Sequence, residues 1–450
     1  MVAVTVPGRH NPPSEGMRAL LILIALAAGL VRPAIGQDFT TLKGHGGPVM
    51  GLSVLPGGRV ASASFDNSVG LWRDRAPRWF EGHAAAVVTV EPLGEGHLVS
   101  GGDDFAVIVW DRTTGESGRL EGHQGKIAAL DMSPDGDWIA SASWDGSIGL
   151  WPVAGGAARF LKGHDAAVTD VAFAHGGQLL YSSSADGTLR EWQWQEVGVP
   201  PRELLNQGFG INRLVLAPDD TWLAYGAVDG ATRVVDPRTG REIADFTLDR
   251  RPVLSLAYHA GTGQLAVGDG HGYIMLIDTE EWRITRDFQA MARGPVWALA
   301  FSPEGGMIYA GGLSEVIYGW PVDLLDDYDP AGAIEHSFLR PAAEMENGER
   351  QFMRKCSICH ALTPPPSRKA GPTLYGLFDR PAGAVPGYAY SETLDSSDIV
   401  WTEDTIDALF DLGPDHYIPG SKMPMQRITA PEDRQDMIDY LRRATATEGN

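Results

Sequence analysis

The sequence predicts two folded parts of different class: an all-β ring of seven repeats over residues 37–322 and an all-α domain over residues 344–450, joined by a linker at 323–343. Three observations carry that expectation. Four Gly-His pairs in the first half of the chain, spaced about 40 residues apart, are each followed 27 or 28 residues after the histidine by a tryptophan. Glycine, at 55 residues, and tryptophan, at 13, are both abundant, which is the composition of turn-dense sheet structure. Beyond residue 341 the alternating pattern gives way to helical periodicity and to Cys356-Ser357-Ile358-Cys359-His360, which holds the only two cysteines in 450 residues.

The N-terminal stretch has the build of an export signal. Arg18 precedes an apolar run over 19–31, and the small residues Ala34-Ile35-Gly36 stand before Gln37, so cleavage is expected after residue 36, with Met1 or Met17 as the start. The run is too short for a membrane span, and none is expected after cleavage. The chain carries a net charge of −22; residues 1–36 hold three arginines against one glutamate, which leaves the remainder near −24. Such acidity excludes nucleic acid and anionic lipid as partners.

The repeats follow from position. Gly44-His45, Gly82-His83, Gly122-His123 and Gly163-His164 lead to Trp72, Trp110, Trp151 and Trp192, at steps of 38, 41 and 41 residues. The same register continues to Val235, Ile277 and Trp320 at steps of 43, 42 and 43, giving seven units. Within each, short alternating runs are split by turns such as Asp135-Gly136, Asp145-Gly146, Asp186-Gly187 and Asp229-Gly230, which suit hairpins that need positive φ. About four strands per unit result. In these features the stretch 38–322 resembles the WD-repeat β-propellers.

That resemblance implies a hydrogen-bonded tetrad of His, Ser or Thr, Asp and Trp inside each blade. Residue by residue the matches are His45, Ser64, Asp66 and Trp72; His123, Ser143, Asp145 and Trp151; and His164, Ser184, Asp186 and Trp192. Blade two has Gly102 where the serine is expected, and the last three blades have lost the histidine. These histidines are expected to be structural, since the indole, hydroxyl, imidazole and carboxylate satisfy one another. The segment 38–42 resembles the outer strand that this family lends from its N-terminus to the last blade, which leaves no open edge.

From Leu324 the pattern dissolves into the polar, proline-broken linker. A helix beginning near Ala342, through Met345, Gly348, Phe352 and Met353, is expected to run into Cys356. A second fits 402–412, with Glu403 and Asp404 in its first turn. A third fits 431–445, with Glu432 and Asp433 at its start and Arg442 and Arg443 at its end, charges that suit the helix dipole.

Two thiols three positions apart, followed at once by a histidine, form a covalent haem attachment site: Cys356 and Cys359 each bond one vinyl group and His360 ligates the iron. A zinc site needs about four N or S ligands and no second cysteine pair exists. A redox dithiol leaves the adjoining His360 unexplained. Covalent haem attachment in bacteria takes place outside the cytoplasmic membrane, so the motif and the leader together place the protein in the periplasm.

Residues 344–447 resemble a class I cytochrome c of the mitochondrial type. The resemblance rests on Gly371-Pro372, on the segment 374–383, on Tyr390 and Trp401, and on Tyr417-Ile418-Pro419-Gly420-Ser421-Lys422-Met423. It implies that the Pro372 carbonyl accepts a hydrogen bond from the His360 imidazole, that Arg380, Tyr390 and Trp401 contact the haem propionates, and that Met423, 63 positions after His360, is the sixth ligand. Met425, His416 and His336 are the competitors. Asp379 and Pro381 flank Arg380 against the family pattern, and no tyrosine occurs over 406–411, so Leu409 or Phe410 takes the place of the phenol that reaches the methionine sulfur. A weaker iron–methionine bond is the expectation.

Together these readings predict an exported carrier of one electron on one haem c, with the propeller as a docking scaffold for a redox protein partner. Arg354, Lys355, Arg368, Lys369 and Lys422 stand as a basic rim in a haem domain of net charge −6, 11 basic against 17 acidic residues. The alternative is a catalytic oxidoreductase whose propeller holds a second cofactor, as in cytochrome cd type nitrite reductases. Its one candidate cluster is His97, His175 and His259, at similar turns of blades two, four and six.

Overall fold

Short strand-forming runs broken by tight turns fold each repeat into one four-stranded antiparallel sheet, whose second strand is buried at every position in blades one, four and five. The computed structural model describes residues 40–247, 252–291, 293–327, 345–357, 359–365, 369–421, 423 and 427–446. The expected export signal, most of the linker, His336, Arg368, Lys422 and Met425 lie outside the described residues, as does the side chain of Arg354. Residues 40–450 cluster as one compact unit.

Seven sheets of four strands are present among the described residues, with inner strands Val49–Val54, Val87–Leu93, Ile127–Met132, Val168–Phe173, Ile211–Leu216, Val253–His259 and Val296–Phe301. The ring closes as the sequence predicts. Strand Thr40–Lys43 pairs antiparallel with Val316–Pro321, Thr40 opposite Gly319 and Lys43 opposite Val316, and so supplies the outer strand of blade seven. Borrowing the first strand for the last blade joins the two ends of the ring by a backbone ladder, which removes the edge that a linear array leaves open. The hairpin glycines adopt positive φ as expected, 83° at Gly146 and 93° at Gly230.

Adjacent blades are also tied through their inner strands. Ser53 Oγ donates to Glu91 at 2.9 Å, Asp131 accepts from the Phe173 N–H at 2.6 Å, and Asp170 accepts from the Leu214 N–H at 3.0 Å. Asn212 donates to the Val253 carbonyl at 2.7 Å and Ser255 to the Val296 carbonyl at 2.9 Å. Each bond replaces one that water would make, so its net contribution is about 1 kcal/mol, but it also fixes the rotation of one blade against the next.

The tetrads need one correction of register. Trp72 donates to Ser62 Oγ at 2.8 Å, Ser62 meets His45 Nε2 at 2.7 Å, and His45 Nδ1 meets Asp66 at 3.0 Å. The serines in blades three and four are Ser141 and Ser182, not Ser143 and Ser184, just as Ser62 replaces Ser64. Serines two apart on a strand face the same side, so alternation does not separate them. Ser64, at the strand end, instead donates to the Gly47 carbonyl and accepts from the Asp66 N–H. Blade two has a full tetrad after all: His83, Ser100, Asp104 and Trp110. Burial by itself raises the Asp104 carboxyl, yet the His83 hydrogen bond and charge, the Ala84 N–H and Arg119 bring it down to about 2, so the acid end of this chain stays ionised.

The C-terminal part is helical: α1 Asn347–Lys355, α2 Glu392–Asp395, α3 Glu403–Leu412, α4 Pro414–Tyr417 and α5 Pro431–Ala444. Helices α1, α3 and α5 are those the sequence predicts, except that α1 begins at Asn347, after Met345, rather than near Ala342. Thr402 caps α3 by accepting the Thr405 N–H, and the Thr402 N–H bonds back to Thr405 Oγ1. Helices α1 and α5 cross at Gly348, where a Cβ would lie 1.9 Å from the Asp436 carbonyl oxygen. Phe352, Leu377, Ile406, Leu409, Phe410, Met437, Ile438 and Leu441 form the core between them. Arg434, on α5, bonds Asp407 at 2.6 Å and reaches Asp411 at 3.1 Å, pinning α3 to α5.

Candidate haem site

Helix α1 ends where the attachment motif begins, and its last turn delivers Cys356 into the core. The Cys356 N–H bonds the Phe352 carbonyl at 2.8 Å, and the His360 N–H bonds the Cys356 carbonyl at 2.9 Å, so the motif winds into one further turn. That turn sets both sulfurs and the imidazole facing one cavity of about 540 Å³. Its size lies within the usual range for a cofactor pocket.

All eight haem-site residues expected from the sequence line this cavity: Cys356, Cys359, His360, Pro372, Arg380, Tyr390, Trp401 and Met423. His360 Nδ1 donates to the Pro372 carbonyl at 2.7 Å, which fixes the tautomer and leaves the Nε2 lone pair for a metal. Burial first, then the charges of Arg380 and Lys369, hold the His360 pKa below its ordinary value against the opposing Pro372 bond. This shift favours the neutral imidazole, the form that ligates. The loop that carries Pro372 is held in turn: the Gly371 N–H bonds the Cys359 carbonyl at 2.7 Å, and the Arg380 guanidinium donates to the carbonyls of Thr373 at 2.9 Å and Tyr375 at 2.7 Å.

The thiols are not poised for redox exchange. Burial, together with its neighbour Cys359, pushes Cys356 up to about 12, and burial raises Cys359 as well. A reactive dithiol needs a lowered pKa.

Sequence reasoning missed Tyr388, whose hydroxyl donates to the Ala370 carbonyl at 2.7 Å and whose ring packs edge-on to Tyr390 at 4.8 Å. Its spacing of two from Tyr390 was the available signal. Leu409 and Phe410 both line the cavity where a phenol was expected to be missing. The histidines of the alternative cluster do not come together: His97 faces Asp111, His175 faces Asp220, and His259 bonds Thr262 and the Pro303 carbonyl. Among the described residues no group of three or more His, Cys, Asp or Glu side chains is arranged to hold a metal ion.

Comparison with known proteins agrees with this geometry. The family model "Cytochrome c" matches residues 345–445, and "WD domain, G-beta repeat" matches 36–73, 77–111, 115–152 and 156–193. Cytochrome c of Sesamum indicum is 41% identical over 108 residues, which is 24% of this chain and 95% of that protein. Cytochrome c of Nigella damascena is 39% identical over 108 residues, again 24% and 95%, and that of Chlamydomonas reinhardtii 40% over 106 residues, 24% and 94%. The chain belongs to the cytochrome c family.

Its cytochrome c domain carries a covalently bound haem c, and the observed residues fit that group. An apolar cavity opens beside the two thiols, and the imidazole that lines it, His360, has its Nδ1 engaged by Pro372, which leaves Nε2 for a ligand. The WD repeats matched by sequence are the four that keep a complete tetrad. Blades five to seven follow from the structure, where Val235, Ile277 and Trp320 are buried at the tryptophan position.

Proposed function

We propose that this cytochrome c is an exported one-electron carrier in which His360 and Met423 both ligate the haem iron and the WD propeller serves as a docking scaffold for a redox protein. The observation that carries the reading is that Met423 lines the same cavity as a His360 already fixed by Pro372. Haem c supplies an iron that alternates between ferric and ferrous states. The protein's part is to hold it. The Pro372 carbonyl orients the imidazole and raises its basicity, and a neutral thioether on the other side favours the ferrous state and a higher potential. With His360 and Met423 both holding the iron, no coordination position would be left open, which would favour electron transfer over oxygen or peroxide chemistry.

Export to the periplasm is supported by the leader at 1–36 and by the site of haem attachment in bacteria. Fractionation of expressing bacterial cells tests it: haem-loaded chain retained with cytosolic markers argues against export. Ligation is tested by Met423→Ala in the full chain. The ferric variant is expected to lose its low-spin spectrum and to bind added imidazole or cyanide far more readily; an unchanged spectrum rules Met423 out. Because Leu409 and Phe410 line the cavity where the family has a tyrosine, alkaline titration is expected to displace Met423 at lower pH than in cytochromes that keep the phenol.

A further inference from the structure

The haem cavity is not walled by the cytochrome c domain alone. Phe65, Asn67, Ala84, Ala85, Ala86 and Asp103, from blades one and two of the propeller, line it together with Cys356, Cys359 and His360. Phe65, Asn67 and Asp103 lie in turns between the second and third strands of a blade, and Ala84–86 in the connection from blade one to blade two. In an antiparallel four-stranded blade those turns and connections share one face of the ring. Glu315, in the corresponding turn of blade seven, pairs with Lys369 of the haem domain.

A further observation marks this face as built for a partner. Asn67 Oδ1 and Asp103 Oδ1 are buried and have no hydrogen-bond partner within the described protein, although nearly all buried polar atoms are satisfied. Both belong to the wall of the haem cavity.

We infer that the face formed by the turns of blades seven, one and two is a docking surface for the chain's own haem domain, with Asn67 and Asp103 as polar atoms of the haem site. In the docked state the propeller covers the haem crevice, so a redox partner gains the haem edge only when the two parts separate. This inference rests on the haem reading above and assigns the propeller a first occupant.

The test uses the full, haem-loaded chain and two readouts: the bimolecular rate at which ferricyanide oxidises the ferrous protein, and the maximum dimension from small-angle X-ray scattering. Ferricyanide takes one electron from the ferrous iron and leaves as ferrocyanide. Glu315→Lys sets like charges at the contact, and Phe65→Asp puts a carboxylate into the apolar wall. Each is expected to raise the oxidation rate about two- to five-fold, the range of a single exposed contact, and to enlarge the particle. For Phe65→Asp the rate rises against the sign of the added charge, since the oxidant is an anion. The double variant Glu315→Lys with Lys369→Glu restores the pair and the wild-type net charge, so rate and dimension are expected to return to wild-type values. Unchanged rates and dimensions in both single variants, or a double variant that behaves like Glu315→Lys alone, overturn the inference. The absorption spectrum of the reduced protein reports haem attachment separately. A chain without that spectrum fails the haem reading, whereas a haem-loaded chain with wild-type rates fails only the docking.

Discussion

Position 371 tolerates no side chain. A Cβ there would lie 2.4 Å from Cε1 and 2.8 Å from Nδ1 of His360, a ring that is itself held by the next residue's carbonyl. Gly371→Ala is therefore expected to push the imidazole off the Pro372 bond, at a cost of about 1–3 kcal/mol in stability. The measurement is a pair: guanidinium unfolding of the haem domain, and the ferric spectrum, whose low-spin character weakens if the ring moves. Pro372 and His360 were legible as a pair through the resemblance to class I cytochromes c, and their hydrogen bond is present at 2.7 Å. The carbonyl contacts of Arg380 were not. Its donors hold the carbonyls of Thr373 and Tyr375, and a sequence does not show which of several acceptors a five-donor side chain reaches.

Among the elements, the crossing of α1 and α5 sets the shape of the haem domain. Gly348 brings the two backbones together, and Asn347 Nδ2 bonds both Asp433 and Asp436 at 2.7 Å beside it. Gly348→Ala places a methyl group against a backbone oxygen that has no rotamer to give, so the helices must part. The expected loss is roughly 3 kcal/mol, seen as an earlier helical unfolding transition with the sheet signal of the propeller unchanged. Helices α1, α3 and α5 were readable from apolar period and end charges. The short α2 and α4 were not, since four residues hold about one turn and show no period. In the blades, the Gly-His and Trp positions marked each tetrad correctly, but the serine register was two residues off, because alternation fixes the face of a strand and not the place along it.

At the scale of the whole molecule, the ring carries a pH dependence. Burial, with Asp131 and Asp170 nearby, raises Glu91 from its ordinary 4.5 to about 8 despite the Ser53 bond, and burial raises Asp131 from 3.8 to about 7. Between the ordinary and the raised values the folded ring holds protons that the unfolded chain releases. Stability is then fully present below about 4.5 and is lost as pH rises through about 8. Thermal melts of the propeller are expected to fall over that interval. Glu91→Gln keeps an acceptor for Ser53 Oγ and is expected to flatten the slope and to melt higher than wild type above it. A wild-type melting temperature that rises across the same interval contradicts the assignment.

Resemblance to the WD-repeat propellers pointed to the strand that closes the ring, and the sequence by itself determined the number of repeats, the haem attachment motif and the three longer helices. Each is written in local spacing: a step of about 40 residues, two thiols and a histidine in one turn, apolar positions along one helix face. Tertiary structure alone decided which hydroxyl completes each tetrad and how the carboxylates of neighbouring blades meet. It also placed blades one and two in the wall of the haem cavity. Those relations join residues tens to hundreds of positions apart, from Asn67 to His360, and they arise from how finished elements pack, which no local pattern encodes.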